Sequence, residues 1–239
     1  MALLELAPSI YRIPTMGNAI NSFLFVEASG ELTLVDTGVK RAPKKLLAAI
    51  ASLGKGPADV TRILLTHAHN DHAGGMAHMC RTTGAQLHVH EHDAPFVEKG
   101  ESPPSDRRSF GARVFSLLPS GRFEAHAVDE HFRDNDVLDV GGGLRVVHTP
   151  GHTPGHVSFL HESSGTLITG DALFNWRGIA FSPRFFCADI PMSRETALRL
   201  GDVDYEVAAF THGREIRENA KARIKAFLAK KLKSRGDSL

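Results

Sequence analysis

Residues 63–72 read ILLTHAHNDH, an apolar run that ends in four potential metal ligands. The run that leads up to them, residues 60–66, has the length and composition of a buried strand. Imidazole and carboxylate groups suit zinc and related divalent ions, and a strand that anchors them leaves little entropy to lose on binding. A polar surface loop accounts for one or two histidines but poorly for four ligands within six residues. The stretch therefore predicts a strand that presents a metal site.

Three further apolar runs end in a potential ligand in the same way. They are residues 145–152 (RVVHTPGH), which end in His152, residues 166–171 (TLITGD), which end in Asp171, and residues 207–212 (VAAFTH), which end in His212. Side chains from distant parts of a chain converge in the crevice at the carboxyl ends of sheet strands. The four strand ends together predict a single shared site.

The remainder of the chain alternates strand and helix signals. Strands are predicted at residues 11–14, 21–26, 31–35, 60–66, 86–90, 144–148, 157–161, 166–169 and 207–210, and helices at residues 42–53, 75–83, 193–200 and 214–231. Residues 106–118 favour one more short helix. Because strands and helices recur in both halves, we expect two packed β-sheets with helices on their outer faces. The predicted fold is an α/β four-layer αββα sandwich that forms a single domain over residues 1–239.

Composition and charge exclude several classes of function. Hydrophobic residues make up 42% and charged residues 23% of the 239 residues, which is typical of a globular protein rather than a disordered one. The formal net charge is +1, so the overall field does not favour nucleic acid or an anionic membrane. No apolar run approaches the ~20 residues of a membrane span. We therefore expect a small-molecule substrate, no nucleic-acid partner and no membrane partner, and the oligomeric state stays open.

The ends and the cysteines favour a cytoplasmic protein. Residues 1–13 carry Glu5 and have no basic segment or small-residue cleavage site, so we predict no signal peptide. Cys80 and Cys187 are the two cysteines, which is too few for a disulfide framework and suits a reducing compartment. Thiols of this kind are more often buried and inert than reactive.

Four motifs occur in an order that resembles a known family. They are HxHxDH at residues 67–72, TPGHTPGH at 149–156, GDALF at 170–174 and THG at 211–213. The DTG turn at residues 36–38 adds a match upstream. These motifs resemble the successive signature motifs of the metallo-β-lactamase superfamily.

The resemblance implies a dinuclear centre at the junction of the two sheets. By resemblance, the first metal would be held by His67, His69 and His152, the second by Asp71, His72 and His212, and Asp171 would bridge them. Zinc is favoured, two ions per chain, with iron or manganese also compatible with mixed His/Asp ligation. The reaction would use metal-bound hydroxide, and Asp71 would be catalytic, because it would position the hydroxide and move a proton to the leaving group.

Other polar residues near these motifs have supporting roles or none. His156 resembles the family's second histidine of the turn, which orients the turn through hydrogen bonds and is not a ligand. Asp36 either hydrogen-bonds a ligand imidazole or caps its turn. The three histidines within residues 88–92 favour pairing, exposure or support over ligation, and His148 has no pattern that assigns it a metal.

The substrate is narrowed by comparison with branches of the family. Asp171 argues against a true β-lactamase, because the penicillin-hydrolysing members lack a bridging carboxylate there. The ligand set resembles those of glyoxalase II, the homoserine lactonases and the RNA-processing phosphodiesterases, although Phe174 stands where the lactonases have a tyrosine. We expect hydrolysis of an ester, thioester or lactone. The alternatives are a persulfide dioxygenase with one iron and a phosphodiesterase.

An aromatic segment follows the bridging carboxylate. Its large residues are Phe174, Trp176, Phe181, Phe185 and Phe186. Rings on an irregular loop beside a metal favour an apolar substrate wall, whereas the same rings under a long loop favour core packing. The sequence leaves both interpretations open.

Overall fold

The fold is described by a computed structural model, which covers residues 3–106, 108 and 121–236. The helix expected at residues 106–118 falls almost entirely outside the described residues. Within them, no helix is both long and apolar enough to cross a bilayer.

The first sheet contains seven strands that lie side by side in the order of the sequence. They are β1 (Leu4–Ala7), β2 (Ile10–Pro14), β3 (Asn21–Val26), β4 (Leu32–Val35), β5 (Val60–Leu64), β6 (Gln86–His90) and β7 (Glu130–Phe132). Neighbours are antiparallel from β1 to β4 and parallel from β4 to β7. The carboxyl ends of β4, β5 and β6 therefore meet at one edge of the sheet.

The second sheet contains five strands in the order β14-β11-β10-β9-β8. They are β8 (Val137–Leu138), β9 (Leu144–His148), β10 (Val157–His161), β11 (Thr166–Ile168) and β14 (Val207–Ala209), and β12 (Leu173–Asn175) and β13 (Ile179–Phe181) form a separate hairpin. Strand β14 is parallel to β11, whereas the other neighbours are antiparallel. Strands β9, β11 and β14 end on the same side.

Helices cover the outer face of each sheet, so the predicted four-layer αββα sandwich is confirmed. The helices are α1 (Pro43–Ser52), α2 (Met76–Thr83), α3 (Ala94–Lys99), α4 (Ile190–Thr196) and α5 (Ala220–Gly236). Residues of α1 to α3 pack on the first sheet, and α5 packs on the second. Successive side chains of a strand point to opposite faces of its sheet, so the core consists of one layer between the sheets and one layer under the helices of each sheet. Phe23 and Phe25 meet Phe159 between the sheets, whereas Leu24 and Leu160 face the helices.

The predicted bounds differ most at the two C-terminal helices. The helix expected at residues 193–200 begins at Ile190 and tightens into a 3₁₀ turn at Ala197–Gly201. The last helix begins at Ala220 rather than at residue 214. Ile216 exchanges backbone hydrogen bonds of 2.8 and 2.9 Å with Ala208 of β14, which holds this stretch extended against the sheet. The pairing partner lies across the fold, so local periodicity does not predict it.

Asn21 joins the two sheets at the end where the strands converge. It begins β3 and is fully buried. Its amide nitrogen donates to the carbonyl oxygens of Phe210 at 2.9 Å and Gly213 at 2.8 Å, which flank His212 beyond β14. Arg12 in turn donates to the Asn21 amide oxygen at 2.9 Å. The loop after β14 is therefore anchored on the first sheet.

We predict that Asn21→Ala lowers the free energy of unfolding by about 1–3 kcal/mol or more, because it leaves buried carbonyl groups without a donor. Urea titration measures this change. Ser22→Ala is the matched control, because Ser22 is equally buried and its hydroxyl has no hydrogen-bond partner in the described structure. That variant should be as stable as the parent or slightly more stable. Equal destabilisation of both variants would contradict the role given to Asn21.

Candidate metal centre

The seven residues predicted as ligands come together at the junction of the two sheets. The loop after β5 carries His67, His69, Asp71 and His72, and the ends of β9, β11 and β14 lead to His152, Asp171 and His212. Their ligand atoms fall into groups whose members lie within 4.8 Å of one another. The backbone amide of Val157 donates to the carbonyl of Thr66 at 2.9 Å and ties the two halves of the site.

The first group consists of three imidazoles. Nδ1 of His69 lies 3.1 Å from Nε2 of His67 and 2.9 Å from Nε2 of His152. All three residues are buried. One carboxylate oxygen of Asp171, Oδ2, lies 3.1 Å from Nε2 of His152 and 4.0 Å from Nε2 of His67.

The second group consists of two imidazoles and a carboxylate. Nε2 of His72 and Nε2 of His212 are 3.2 Å apart, and Oδ2 of Asp71 lies 3.5 Å from the latter. The other oxygen of Asp171, Oδ1, lies 3.3 Å from Nε2 of His72 and 3.2 Å from Nε2 of His212. The two oxygens of Asp171 thus face different groups, which is the geometry of a bridging ligand.

Hydrogen bonds on the far side of the rings assign the free nitrogens of the second group. Nδ1 of His72 donates to Oδ2 of Asp36 at 2.8 Å, and Nδ1 of His212 donates to the carbonyl of Ala19 at 2.6 Å. In the neutral ring, each Nε2 is then the acceptor nitrogen. Burial lowers the pKa of both imidazoles, but the nearby carboxylates, Asp171 above all, outweigh this effect and raise it, so positive charge is favoured at these nitrogens, and a bound cation would take the place of their protons.

The first group is supported in the same manner. The hydroxyl of Thr66 donates to Asp36 at 2.7 Å and so accepts from Nδ1 of His67 at 3.1 Å. Nδ1 of His152 donates to the hydroxyl of Ser182 at 2.9 Å. Metal-binding histidines commonly have such a partner on the second ring nitrogen, because it sets the tautomer and the orientation of the ring.

Asp36 supports both groups, which resolves the choice that the sequence left open. Beyond its bonds to His72 and the Thr66 hydroxyl, its carboxylate accepts from the Thr66 amide at 2.8 Å. The backbone of Asp36 has a φ of 58°, a left-handed conformation that costs free energy in a residue other than glycine. This conformation directs the carboxylate from the end of β4 toward Thr66 at the end of β5.

His156 hydrogen-bonds its own turn, as expected, and it also holds the backbone of Asp171, which the sequence did not predict. Its Nε2 accepts from the backbone amide of Asp171 at 2.7 Å, and its Nδ1 donates to the carbonyl of Thr149 at 3.0 Å. Burial lowers the pKa of His156 to about 3, so the neutral ring is retained. Gly170 makes the close approach possible, because a Cβ there would lie 2.5 Å from this Nε2 and its φ is +52°.

Charge in the site favours cations. Burial opposes ionisation of Asp171, but His212, His72 and His152 outweigh it and hold the pKa of this carboxyl well below its usual value. Burial lowers and Asp171 more strongly raises the pKa of His152, to about 9. The buried carboxylate therefore creates a negative potential between the imidazoles, where positive charge is stabilised.

Asp93 is a supporting residue that the sequence did not single out. It is fully buried, and its carboxylate accepts from the amide of Ala68 at 2.8 Å, the hydroxyl of Thr153 at 2.7 Å and the amide of Gly155 at 2.6 Å. Ala68 lies between two ligands of the first group, and Thr153 follows the third. The sequence feature that could have identified Asp93 is its position just beyond β6, because the carboxyl ends of β5 and β6 meet at one edge of the sheet.

A cavity of about 440 Å³ opens beside the two groups. Described residues that line it are Met16, Ala19, Ile20, His69, Asn70, Asp71, Ser102, Pro103, Pro104, Ser105, Gly121, Asp171, Phe174, Trp176, Phe186 and His212. Trp176 is 56% exposed, and its ring lies 5.3 Å from that of Phe174. Apart from the residues of the two groups, the lining is thus largely apolar.

The aromatic segment is divided between this cavity and the core. Phe174, Trp176 and Phe186 line the cavity. Phe181 instead packs against the outer cluster of the second sheet, with its ring 5.1 Å from that of Phe227 and beneath the guanidinium of Arg194. Both interpretations of the sequence are therefore correct, for different rings.

Comparison with known proteins assigns the family. The model of the metallo-beta-lactamase superfamily matches residues 16–212. The uncharacterized protein YobT of Bacillus subtilis (strain 168) is 31% identical over 211 residues, which cover 83% of this chain and 84% of YobT. The probable metallo-hydrolase YybB of the same organism is 26% identical over 196 residues, covering 82% of this chain and 81% of YybB.

Solved structures agree with this assignment. The metallo-beta-lactamase family protein TTHA1429 of Thermus thermophilus aligns with a TM-score of 0.73 at 27% identity, covering 95% of this chain and 81% of that one. The chain belongs to the metallo-beta-lactamase superfamily, whose members include metallo-hydrolases.

Proposed function

We propose that the chain is a dinuclear hydrolase, with zinc as the favoured metal, that cleaves an ester, thioester or lactone of a small apolar molecule. The observation that carries the proposal is the convergence of two ligand groups on the two oxygens of Asp171. The shortest distances within the groups, 2.9 to 3.3 Å, are close to the roughly 3.3 Å between ligands of a tetrahedral zinc ion, and those that involve Asp71 reach 3.9 Å.

The ligand set supports two ions over one. His67, His69 and His152 would hold the first ion, and Asp71, His72 and His212 the second, with Asp171 shared. Two bound divalent ions lower the pKa of a water molecule toward neutrality and polarise the oxygen of a scissile carbonyl. A serine or cysteine nucleophile is then unnecessary.

The exposure of Asp71 supports a role for this carboxylate in proton transfer. Its side chain is 30% exposed and lines the cavity, whereas the other carboxylate, Asp171, is buried between the ligand groups. A carboxylate with one oxygen near His212 and access to the cavity can accept a proton from the attacking water and deliver it to the leaving group. The other six residues would hold the two ions and fix their positions, because the protein forms hydrogen bonds with the second ring nitrogens or the backbones of these residues.

The cavity supports an apolar, uncharged substrate. Phe174, Trp176 and Phe186 supply the wall, and none of the described lining residues is Lys or Arg. A phosphodiester or another strongly anionic substrate would require such cations for its remaining charges. The described part of the cavity therefore favours carboxylic esters, thioesters and lactones over phosphodiesters.

We expect Asp71→Asn and Asp171→Asn to keep the fold but lose hydrolysis. Each substitution keeps the volume and removes a charge that offsets the cations, so zinc affinity should fall by at least about 10-fold to 100-fold. Zinc content, melting temperature and thioester turnover measure the effects, with exposed Asp202→Asn as control. Unchanged turnover in either variant would refute its assignment. One iron per chain without hydrolysis would favour the dioxygenase alternative.

Asp93→Asn tests whether this carboxylate positions the first ligand group. The amide can no longer accept from all three donors, so we predict a loss of about 10-fold to 100-fold in zinc affinity. Asp129→Asn is the control, because Asp129 also accepts from a backbone amide, that of Leu87 at 2.8 Å, outside the site. Competition with a chelator gives the affinities. A chelator profile identical to that of the control would exclude a positioning role.

Truncation of two rings tests the division of the aromatic segment. Trp176→Ala should raise KM for long acyl substrates more than for acetyl ones and leave stability nearly unchanged, because it removes binding area at an exposed position. Phe181→Ala should lower the free energy of unfolding by about 3 kcal/mol and leave the substrate preference unchanged. Steady-state kinetics on an acyl series and urea titration measure both. The reverse pattern would assign the rings the other way.

A further inference from the structure

Three histidines outside the seven-residue centre form a group of their own. His90 ends β6, His92 follows it by two residues, and His148 ends β9. One ring nitrogen of each lies within 4.8 Å of those of the other two. We propose that this histidine triad binds a divalent transition-metal ion of the zinc type, as an accessory site separate from the dinuclear centre.

Two of the three rings are neutral near pH 7. Burial, together with the neighbouring His148 and His92, lowers the pKa of His90 to about 4. Burial likewise lowers the pKa of His148. An imidazole must be unprotonated to bind a metal, so these rings offer a lone pair without the release of a proton from an imidazolium.

Hydrogen bonds identify which ring nitrogen of His90 and of His148 carries a lone pair. Nε2 of His148 donates to the carbonyl of Pro154 at 3.0 Å, which leaves Nδ1 with a lone pair. A ring nitrogen that donates to a backbone carbonyl is the usual arrangement of a metal-binding histidine. Nδ1 of His90 accepts from the backbone amide of His92 at 3.2 Å, a long hydrogen bond that a metal ion can replace.

Binding requires the rings to turn so that their ring nitrogens come closer together than the 4.8 Å within which they lie. The rings of His90 and His148 are stacked, with centroids 4.1 Å apart and 18° between their planes. Stacked rings direct their lone pairs along nearly parallel lines, so His148 must turn to share an ion with His90. His148 is half-buried and His92 is exposed, so both have room to do so. Ligand nitrogens about 3.3 Å apart need shifts of roughly 1 Å from this arrangement.

The surrounding charges favour ions that bind imidazole strongly. The nearest carboxylates are already paired, since Glu91 lies 2.8 Å from Arg133 and Asp134 lies 2.9 Å from Arg199. Three imidazoles without a free carboxylate suit zinc, copper and nickel rather than magnesium or calcium. Because His92 is exposed, an ion can reach the triad from solvent without passing through the cavity of the dinuclear centre.

The test compares zinc binding by the metal-free full-length chain and its variants. Equilibrium dialysis against Zn²⁺, followed by elemental analysis, should give one zinc ion fewer per chain for His92→Gln and for His148→Gln than for the parent. His131→Gln is the matched control, because His131 is exposed on the adjacent strand β7 and belongs to none of the ligand groups. It should bind as much zinc as the parent. Equal zinc content in all four proteins would overturn the proposal.

A second measurement covers the case in which a variant folds poorly. Zinc added to the parent chain should shift the ring ¹⁵N resonances of His92 and His148 in long-range ¹H–¹⁵N spectra. Resonances that stay unchanged at saturating zinc would overturn the proposal independently of any variant. Failure of the dinuclear centre would lower the zinc content of all proteins by the same number, whereas failure of the triad would abolish only the difference between them.

Discussion

The buried negative charge of Asp171 is the constraint on which the site depends. Its side chain is 3% exposed, and its oxygens lie within 4.0 Å of ring nitrogens of four histidines. A carboxylate removed from water is strongly destabilising unless positive charge or hydrogen bonds compensate it. Thr211 donates one bond to this carboxylate at 2.8 Å. Burial raises the pKa of Asp171, but the positive charge of His212, His72 and His152 outweighs that effect and keeps the carboxyl ionised.

Around this charge the fold restricts the orientation of three imidazoles. Nδ1 of His72 donates to Asp36, Nδ1 of His212 to the carbonyl of Ala19 and Nδ1 of His152 to Ser182. These three rings are therefore fixed in direction, which would reduce the entropy lost if they bound an ion. The left-handed backbone of Asp36, with a φ of 58°, lowers the stability of the folded state in this arrangement.

The sequence predicts which polar side chains converge better than it predicts the residues that support them. The site can be recognised in the sequence because an apolar strand and the polar side chains at its end occur in one short stretch, as at residues 63–72. Asp93 and Asn21 act through partners that lie 25 to 192 residues away, and a lone polar residue at a strand end carries no such signal. Short strands such as Glu130–Phe132 were missed for a related reason, because their pairing partners lie far along the chain.

The segment after Asp171 links substrate binding to the first ligand group. Its hairpin places Trp176 at the cavity, and its return brings Ser182 to within 2.9 Å of His152. Cys187, the buried thiol at the end of the segment, lies 3.9 Å from the same ring nitrogen. One short segment therefore carries both the apolar wall of the cavity and the hydroxyl that accepts from His152. The half-buried ring of Phe181, which packs on the outer cluster of the second sheet, holds this segment against the fold between those two points.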